Sequence, residues 1–302
     1  MPSLRANLLK LQLHLAKPIV RFTGIEASRR AQDALGTITS RLLEPAVTYE
    51  PVEFDGFEAC FAVPQKLQAD DRAILYLHGG GYTAGGLSYC KAFGGVLAMS
   101  TGLRALCVAY RLAPEHRHPT ALDDAEMAYD RLLSLGYAPE NIAFAGESAG
   151  GGLIYCLALR LKQKGKPMPA CLVGISPWAD LTMGGRSYSN NVLRDPSLCR
   201  ESLAYYVLVY AAGRETEPTV SPVFGDFHGF PPSLLFAGGD EILLDDSRTL
   251  CERLRDAGAE ASLHIEPGMW HVYPLYGTPE GKTALQKMTA FLHAALHMEA
   301  NA

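Results

Sequence analysis

Apolar positions near the start of the chain recur at helical spacing. Leu4, Leu8, Leu11 and Leu15 lie three or four residues apart, which predicts a first helix, and Pro18 is expected to end or kink it. A second helical run covers about 26–43 and leads to Pro45. The period then changes. Val47 to Phe54 alternates loosely, Asp55-Gly56 marks a hairpin turn, and Phe57 to Val63 returns. Short, nearly all-apolar runs follow at Ala73 to Leu77, Ala105 to Ala109, Ile142 to Ala145, Cys171 to Ile175, Ser233 to Ala237 and Ala261 to Ile265. Helical stretches such as Ala121 to Leu135 and Gly151 to Lys164 separate most of them. Uniformly apolar strands alternating with helices predict a mostly parallel central sheet flanked by helices, buried on both faces. One longer stretch, 186–225, breaks the alternation and holds a helical segment, Ser197 to Ala212, with Tyr205, Tyr206 and Tyr210. An insertion of that kind is where a lid or cap sits.

Length alone suggests otherwise: 302 residues at roughly 150 per domain would be two domains. The pattern replaces that with one catalytic core and a cap in two pieces. Residues 1–45 are the N-terminal cap helices, 46–185 the first part of the core, 186–225 the cap insertion and 226–302 the second part of the core. Hydrophobic residues at 48% and charged residues at 20% exclude a disordered or fibrous chain.

Arg5, Lys10, His14, Lys17 and Arg21 interrupt the first Leu-rich run, and no acid precedes Glu26. Lys10 breaks the apolar centre that a secretory signal needs. The segment reads as a helix lying over the protein's own pocket, with a basic amphipathic surface helix as the alternative. No run of about 18 apolar residues exists to cross a membrane. The net charge of −5 offers no attraction to nucleic acid. The seven cysteines contain no CxxC, which argues against zinc ribbons and redox pairs and for a reducing, cytoplasmic compartment. An exposed edge strand would allow a homodimer.

Candidate chemistry lies in two glycine-rich strings. Gly146-Glu147-Ser148-Ala149-Gly150 follows the apolar run 142–145 and opens a helical stretch. A serine nucleophile needs a tight turn that exposes its hydroxyl, and flanking glycines let strand and helix approach without a Cβ clash. The helix N-terminus adds unpaired N–H groups and a positive dipole end. His78-Gly79-Gly80-Gly81 follows the run 73–77. Its glycines let main-chain N–H groups of Gly80 and Gly81, with that of Ala149, hold a developing oxyanion. His78 is read as orienting this loop. A phosphate-binding loop would want GxGxxG or GK[ST] before a helix, and neither is present.

These strings, with 70 residues from His78 to Ser148, resemble the hormone-sensitive-lipase-like branch of the α/β hydrolases. The resemblance covers nearly the whole chain. It extends to Tyr110-Arg111-Leu112-Ala113-Pro114-Glu115-His116, Ser176-Pro177-Trp178-Ala179-Asp180-Leu181, Pro231-Pro232, Gly238-Gly239-Asp240-Glu241-Ile242-Leu243 and Gly268-Met269-Trp270-His271. The details are most similar to bacterial carboxylesterases and monoterpene-lactone hydrolases. Glu147 stands where many members carry Asp, and Glu241 where many carry Pro. The resemblance implies an α/β-hydrolase fold with a helical cap and action on a small-molecule ester of short to medium chain length.

The remaining catalytic groups follow from position. Of the histidines downstream of Ser148, His271 follows Pro267-Gly268 on a loop after the last strand and can reach the turn at Ser148. Asp240 lies just past an apolar strand and is chosen as the acid. Asp245 and Asp246 come later and start or cap the next helix, and Glu241 is taken to point elsewhere. In this scheme Ser148 attacks the carbonyl, His271 shuttles the proton and Asp240 holds the imidazole. Trp178 and Tyr205, Tyr206 and Tyr210 are candidates to line the substrate pocket, with core packing as the alternative. Arg111 and Glu115 are placed to pair and brace the loop beneath the oxyanion hole. No HxxxH or HExxH suggests a metal, and no cofactor is expected. A lactonase with the same triad is the first rival reading. A peptidase and a non-enzymatic receptor rank lower.

Overall fold

The hairpin at Asp55-Gly56 forms, with Gly56 in the left-handed region at φ +92°. In a computed structural model, residues 2–21 and 24–298 are described. Two helices come first, α1 (Leu4–Arg21) and α2 (Ile25–Leu43), followed by β1 (Val47–Glu53), β2 (Glu58–Pro64) and β3 (Ala73–Leu77). Next are α3 (Leu87–Thr101), β4 (Arg104–Ala109), α4 (Thr120–Ser134), β5 (Ile142–Glu147), α5 (Ala149–Gln163) and β6 (Cys171–Ile175). The insertion contributes α6 (Ser187–Asn190) and α7 (Arg200–Tyr210). The chain finishes with β7 (Ser233–Gly238), α8 (Leu244–Asp256), β8 (Ala261–Glu266) and α9 (Pro279–Ala295).

The strands form one eight-stranded sheet in the order β1-β2-β4-β3-β5-β6-β7-β8. β1, β2 and β4 pair antiparallel, and every other pair is parallel. The two-residue period of the strands divides the core. Leu75, Leu77, Leu106, Phe144 and Leu172 face α4, α5 and α8, and Ile74, Tyr76, Cys107, Ala145 and Val173 face α3 and α9. Burial on both faces is why β3, β5, β6 and β7 read as unbroken apolar runs, whereas the edge strand β8 is half-exposed.

Two local expectations change. α1 continues three residues past Pro18 to Arg21. A proline in a last turn removes a single helical hydrogen bond, and the chain carries on through it. Arg111 and Glu115 do not pair. Arg111 forks onto the buried Asp124 of α4, with Nη2 at 2.6 Å. Glu115 instead takes a two-pronged contact from Arg29 of α2, at 2.9 and 2.7 Å, which lowers its pKa to about 2. Each partner comes from a helix that only the fold brings alongside.

The N-terminal helices rest on the loops at the C-terminal end of the sheet. Arg29 also donates to the carbonyls of Thr83 and Ala113, and Asp33 accepts from Gly86 N–H. Lys10 reaches the Asp240 carboxylate and the Gly268 carbonyl. Gly36 lets α2 touch α3 directly, because a Cβ there would stand 2.4 Å from the Ser88 carbonyl oxygen. The seven cysteines are buried and unpaired. No helix among the described residues is long and apolar enough to cross a membrane.

Candidate active site

β5 ends at Glu147, α5 begins at Ala149, and Ser148 takes the whole turn between them at φ 55°, ψ −121°. The turn is tight enough to require its glycines. A Cβ on Gly146 would lie 2.4 Å from the Gly150 carbonyl oxygen, and one on Gly150 would lie 2.1 Å from that of Leu77. The Ser148 N–H donates to Ile175 O at 2.9 Å, and the Ser148 carbonyl accepts from Trp178 N–H at 2.8 Å. The hydroxyl is thereby pointed at His271, whose Nε2 stands 2.9 Å from Ser148 Oγ.

His271 sits on the loop after β8 and is almost fully buried. Its other ring nitrogen faces Glu241, with Nδ1 3.7 Å from Oε2. Glu241 is completely buried and accepts 2.7 Å from Ser176 Oγ, which itself accepts from Val272 N–H at 3.0 Å. Ser148, Ser176 and Val272 all hold positive φ, at 55°, 47° and 51°. Strained non-glycine backbone gathers here, around the Ser148–His271 contact.

Asp240 is not at this place. Its Oδ2 is 2.5 Å from Lys10 Nζ of α1, and its Oδ1 is 3.7 Å from Arg194. Consecutive side chains past β7 diverge: Asp240 turns out to the N-terminal helix and Glu241 turns in to the imidazole. The side chain turned to the imidazole is therefore that of Glu241, where the sequence pattern led to Asp240. Asp245 and Asp246 start α8 as expected, but both reach away from the imidazole. Asp245 accepts from Ser187 N–H, and Asp246 accepts from the N–H groups of Ala179 and Asp180 and from the Tyr188 hydroxyl. Burial raises the Asp246 pKa well above the usual carboxylate range.

The His78–Gly81 loop packs on Ser148. A Cβ on Gly79 would sit 3.0 Å from Ser148 Cβ, and Gly79 N–H donates 2.6 Å to Glu147 Oε1. Gly80 and Gly81 lie at φ +117° and +63°, where other residues would be strained. The His78 ring stacks on Tyr110 at 4.2 Å, and its Nδ1 lies 2.6 Å from the Gly79 carbonyl oxygen. Burial pulls its pKa down to about 4, so the ring is neutral and its Nδ1–H donates to that carbonyl. As the first residue of α5, Ala149 has an N–H with no helical acceptor.

Of the four aromatic pocket candidates, only Tyr206 touches this loop: its ring lies where a Cβ on Gly81 would be, with Cδ2 at 2.5 Å. Tyr210 stacks flat on Tyr82 at 3.8 Å, and Trp178 is fully buried, donating from Nε1 to Tyr188 Oη at 3.1 Å. Both side chains are buried and engaged with other aromatic residues. Tyr205 is 49% exposed. Beside the catalytic loop, α2, α3 and the turn after His271 enclose an apolar cavity of about 300 Å³, lined by Gly36, Thr39, Tyr89, Phe93, Val272 and Leu275. No group of His, Cys, Asp and Glu that could hold a metal occurs among the described residues.

Sequence reasoning set Glu241 aside and gave no role to Ser176 or Lys10. Glu241 differs from Asp240 only in the direction it faces. Ser176 lies in a motif already noted, without a role. Lys10 was legible only as an interruption of a leucine row.

Glu147 beside Ser148 has a testable electrostatic signature. Burial raises its pKa to about 8. Between the ordinary 4.5 and about 8 the native state keeps a proton that the unfolded chain releases. Stability therefore falls with rising pH across that window, by at most about 1.4 kcal/mol per pH unit. Glu147→Gln removes the titration, so its stability relative to wild type improves from pH 5 to pH 8 in thermal melts. A constant difference across those pH values would show that Glu147 is ionised throughout.

An imidazole facing a serine on a strand–turn–helix elbow, at the C-terminal end of a mostly parallel sheet, defines an α/β-hydrolase-type serine hydrolase. Residues 74–275 match the family described as the alpha/beta hydrolase fold, and the chain belongs to that family, in its hormone-sensitive-lipase-like branch. An acetyl-hydrolase of Streptomyces hygroscopicus is 38% identical over 229 residues, covering 75% of this chain and 77% of that protein. An esterase of Acinetobacter venetianus is 34% identical over 82% of both chains. The crystal structure of an esterase from the bacterial hormone-sensitive lipase family superposes with a TM-score of 0.89 at 32% identity, covering 98% of this chain and 100% of the other.

Proposed function

We propose that this α/β hydrolase is a serine carboxylesterase whose nucleophile is Ser148, whose base is His271 and whose acid is Glu241. The observation that carries the reading is the 2.9 Å approach of His271 Nε2 to Ser148 Oγ on the strained elbow. Ser148 Oγ attacks the ester carbonyl as its proton passes to Nε2. The N–H groups of Gly80, Gly81 and Ala149 receive the oxyanion, each worth roughly 3–4 kcal/mol in the transition state. Glu241 keeps the proton on Nδ1 and stabilises the imidazolium; contacts of this kind, 3.7 Å here, tighten in the loaded complex. His271 then protonates the leaving alcohol, and water attacks the acyl-enzyme by the same route.

α1, α2 and the 186–225 insertion form the cap, since Arg29, Asp33 and Tyr206 all touch the loop that carries the oxyanion donors. The apolar cavity beside His271 suits one arm of a short- to medium-chain ester. Seven buried, unpaired thiols fit a reducing, cytoplasmic setting. The names of the relatives, acetyl-hydrolase and esterase, favour open-chain esters over lactones.

Labelling with diethyl p-nitrophenyl phosphate tests the reading. The expected result is complete inactivation with one diethylphosphoryl group, found by peptide mass mapping on Ser148. Inactivation with the label elsewhere, or label on Ser148 with activity retained, would sink it.

A further inference from the structure

The outward faces of α1 and α2 carry apolar side chains that the rest of the chain leaves uncovered. Leu4, Leu8, Leu11 and Leu15 along α1 are between 56 and 86% exposed, and Leu35, Ile38 and Leu42 along α2 are between 60 and 76% exposed. Both helices depart from the usual arrangement of a surface helix: Leu9, Leu13 and Leu43 pack inward on the core, and a second apolar row faces out. On α1 the inward positions include Ala6, which is buried, and Lys10 and Lys17, which bond Asp240 and the carbonyls of Gly268, Val192 and Asp195. On α2 the inward positions include Gly36 and Ser40, both buried, and Leu43 on the core, with Asp33 bonded to Gly86. Leu193 extends the exposed row: it is 89% exposed and follows Val192, whose carbonyl Lys17 holds. Rows of exposed leucines of this kind mark a docking face.

Charge selects what docks there. Residues 1–45 hold seven Lys and Arg against three Asp and Glu, although the whole chain carries −5. Lys10, Lys17 and Arg29 bond groups within the chain, so the outward positive charge rests on other arginines. Arg5, Arg30 and Arg41 are exposed on these helices. Asp33 is turned inward to Gly86, and Glu26 and Glu44 stand only at the two ends of α2. A second copy docked through a two-fold contact would bring two basic faces together, at an electrostatic cost. A surface with an apolar interior and anionic groups at its boundary matches both the leucines and the arginines.

We infer that the outer faces of α1 and α2 dock this protein on an anionic lipid surface. The leucines enter the acyl boundary while Arg5, Arg30 and Arg41 meet the headgroups. The same two helices hold Thr83, Gly86 and Gly268 from their inner faces, so docking turns the side of the molecule that bears the site toward the lipid. Leu35, on the docking face, also lines the apolar cavity that extends to Val272 beside His271.

The test is flotation of the full chain with vesicles of phosphatidylcholine containing about a third phosphatidylglycerol, against vesicles of phosphatidylcholine alone. Binding to the anionic vesicles is expected, weakened by salt at about 0.5 M. Leu8→Gln/Leu11→Gln weakens it by at least about tenfold. Hydrolysis of soluble p-nitrophenyl butyrate stays unchanged and reports that the variant is folded. Arg5→Gln/Arg30→Gln weakens anionic binding without touching the leucines. Three results would each overturn the inference: no flotation of wild type with the anionic vesicles, equal flotation with the neutral ones, or undiminished binding of the leucine variant. A dimer in sedimentation velocity that Leu8→Gln/Leu11→Gln dissociates would assign the face to a second copy instead. Flotation is read without turnover, so it stands or falls apart from the esterase reading.

Discussion

Replacing Glu241 with Gln lowers kcat for p-nitrophenyl butyrate by roughly 10³-fold, whereas Asp240→Asn keeps kcat within about threefold. The two residues are neighbours in sequence and nearly equal in charge, so the contrast rests on geometry alone. Glu241 Oε2 faces His271 Nδ1 and is shielded from water. An amide in its place offers an N–H toward the ring and favours the tautomer with its proton on Nε2, which cannot take the proton of Ser148. Asp240 is held by Lys10, and both side chains are partly open to solvent. Losing that pair costs about 1 kcal/mol or less and appears as a small drop in melting temperature. The reverse pattern, with Asp240→Asn inactive and Glu241→Gln active, would restore Asp240 as the acid and show that the loop past β7 is turned over in solution.

Ser148→Ala reduces kcat/KM by at least about 10³-fold. The residual rate comes from the proposed oxyanion donors, the N–H groups of Gly80, Gly81 and Ala149, which this change leaves in place for slow attack by water. The variant should remain folded, because alanine keeps the Cβ and asks for the same left-handed backbone at φ 55°. Its unfolding free energy should lie within about 1 kcal/mol of wild type. An active, folded Ser148→Ala protein would remove the nucleophile from the scheme. An inactive protein that has also lost its cooperative melt would assign Ser148 a structural role, and titrating His271 for an intact ring environment by NMR would separate the two.

Most of the scaffold was legible because its local and global demands agree. The runs at Ala73, Ile142, Cys171 and Ser233 are apolar on both sides since helices cover both faces, and each became a buried strand. The glycines at 146 and 150 announced the elbow because no other residue fits against Leu77 and the opposing backbone. Partner choice among charges was not legible. Arg111 finds Asp124 and Glu115 finds Arg29 because α4 and α2 deliver them, and no spacing in the sequence encodes that meeting. The aromatic candidates divided for a similar reason. Tyr206 and Tyr210 sit one helical turn apart on α7, yet one lies on Gly81 and the other is stacked on Tyr82 inside the core.

By itself the sequence determined the class of fold, the serine on its elbow, the glycine loop before it and the histidine that follows the last strand. Each is set by backbone constraints local enough to be written in a few consecutive residues. Only the tertiary structure shows that Glu241, and not Asp240, faces the imidazole. Successive residues on a loop point in different directions, and which of them meets the imidazole depends on how β7, β8 and the N-terminal helix pack around it. The N-terminal leucine row followed the same division. Its helical period was plain from the start, but that it faces outward, with Lys10 and Lys17 turned in, is settled by the loops those lysines reach.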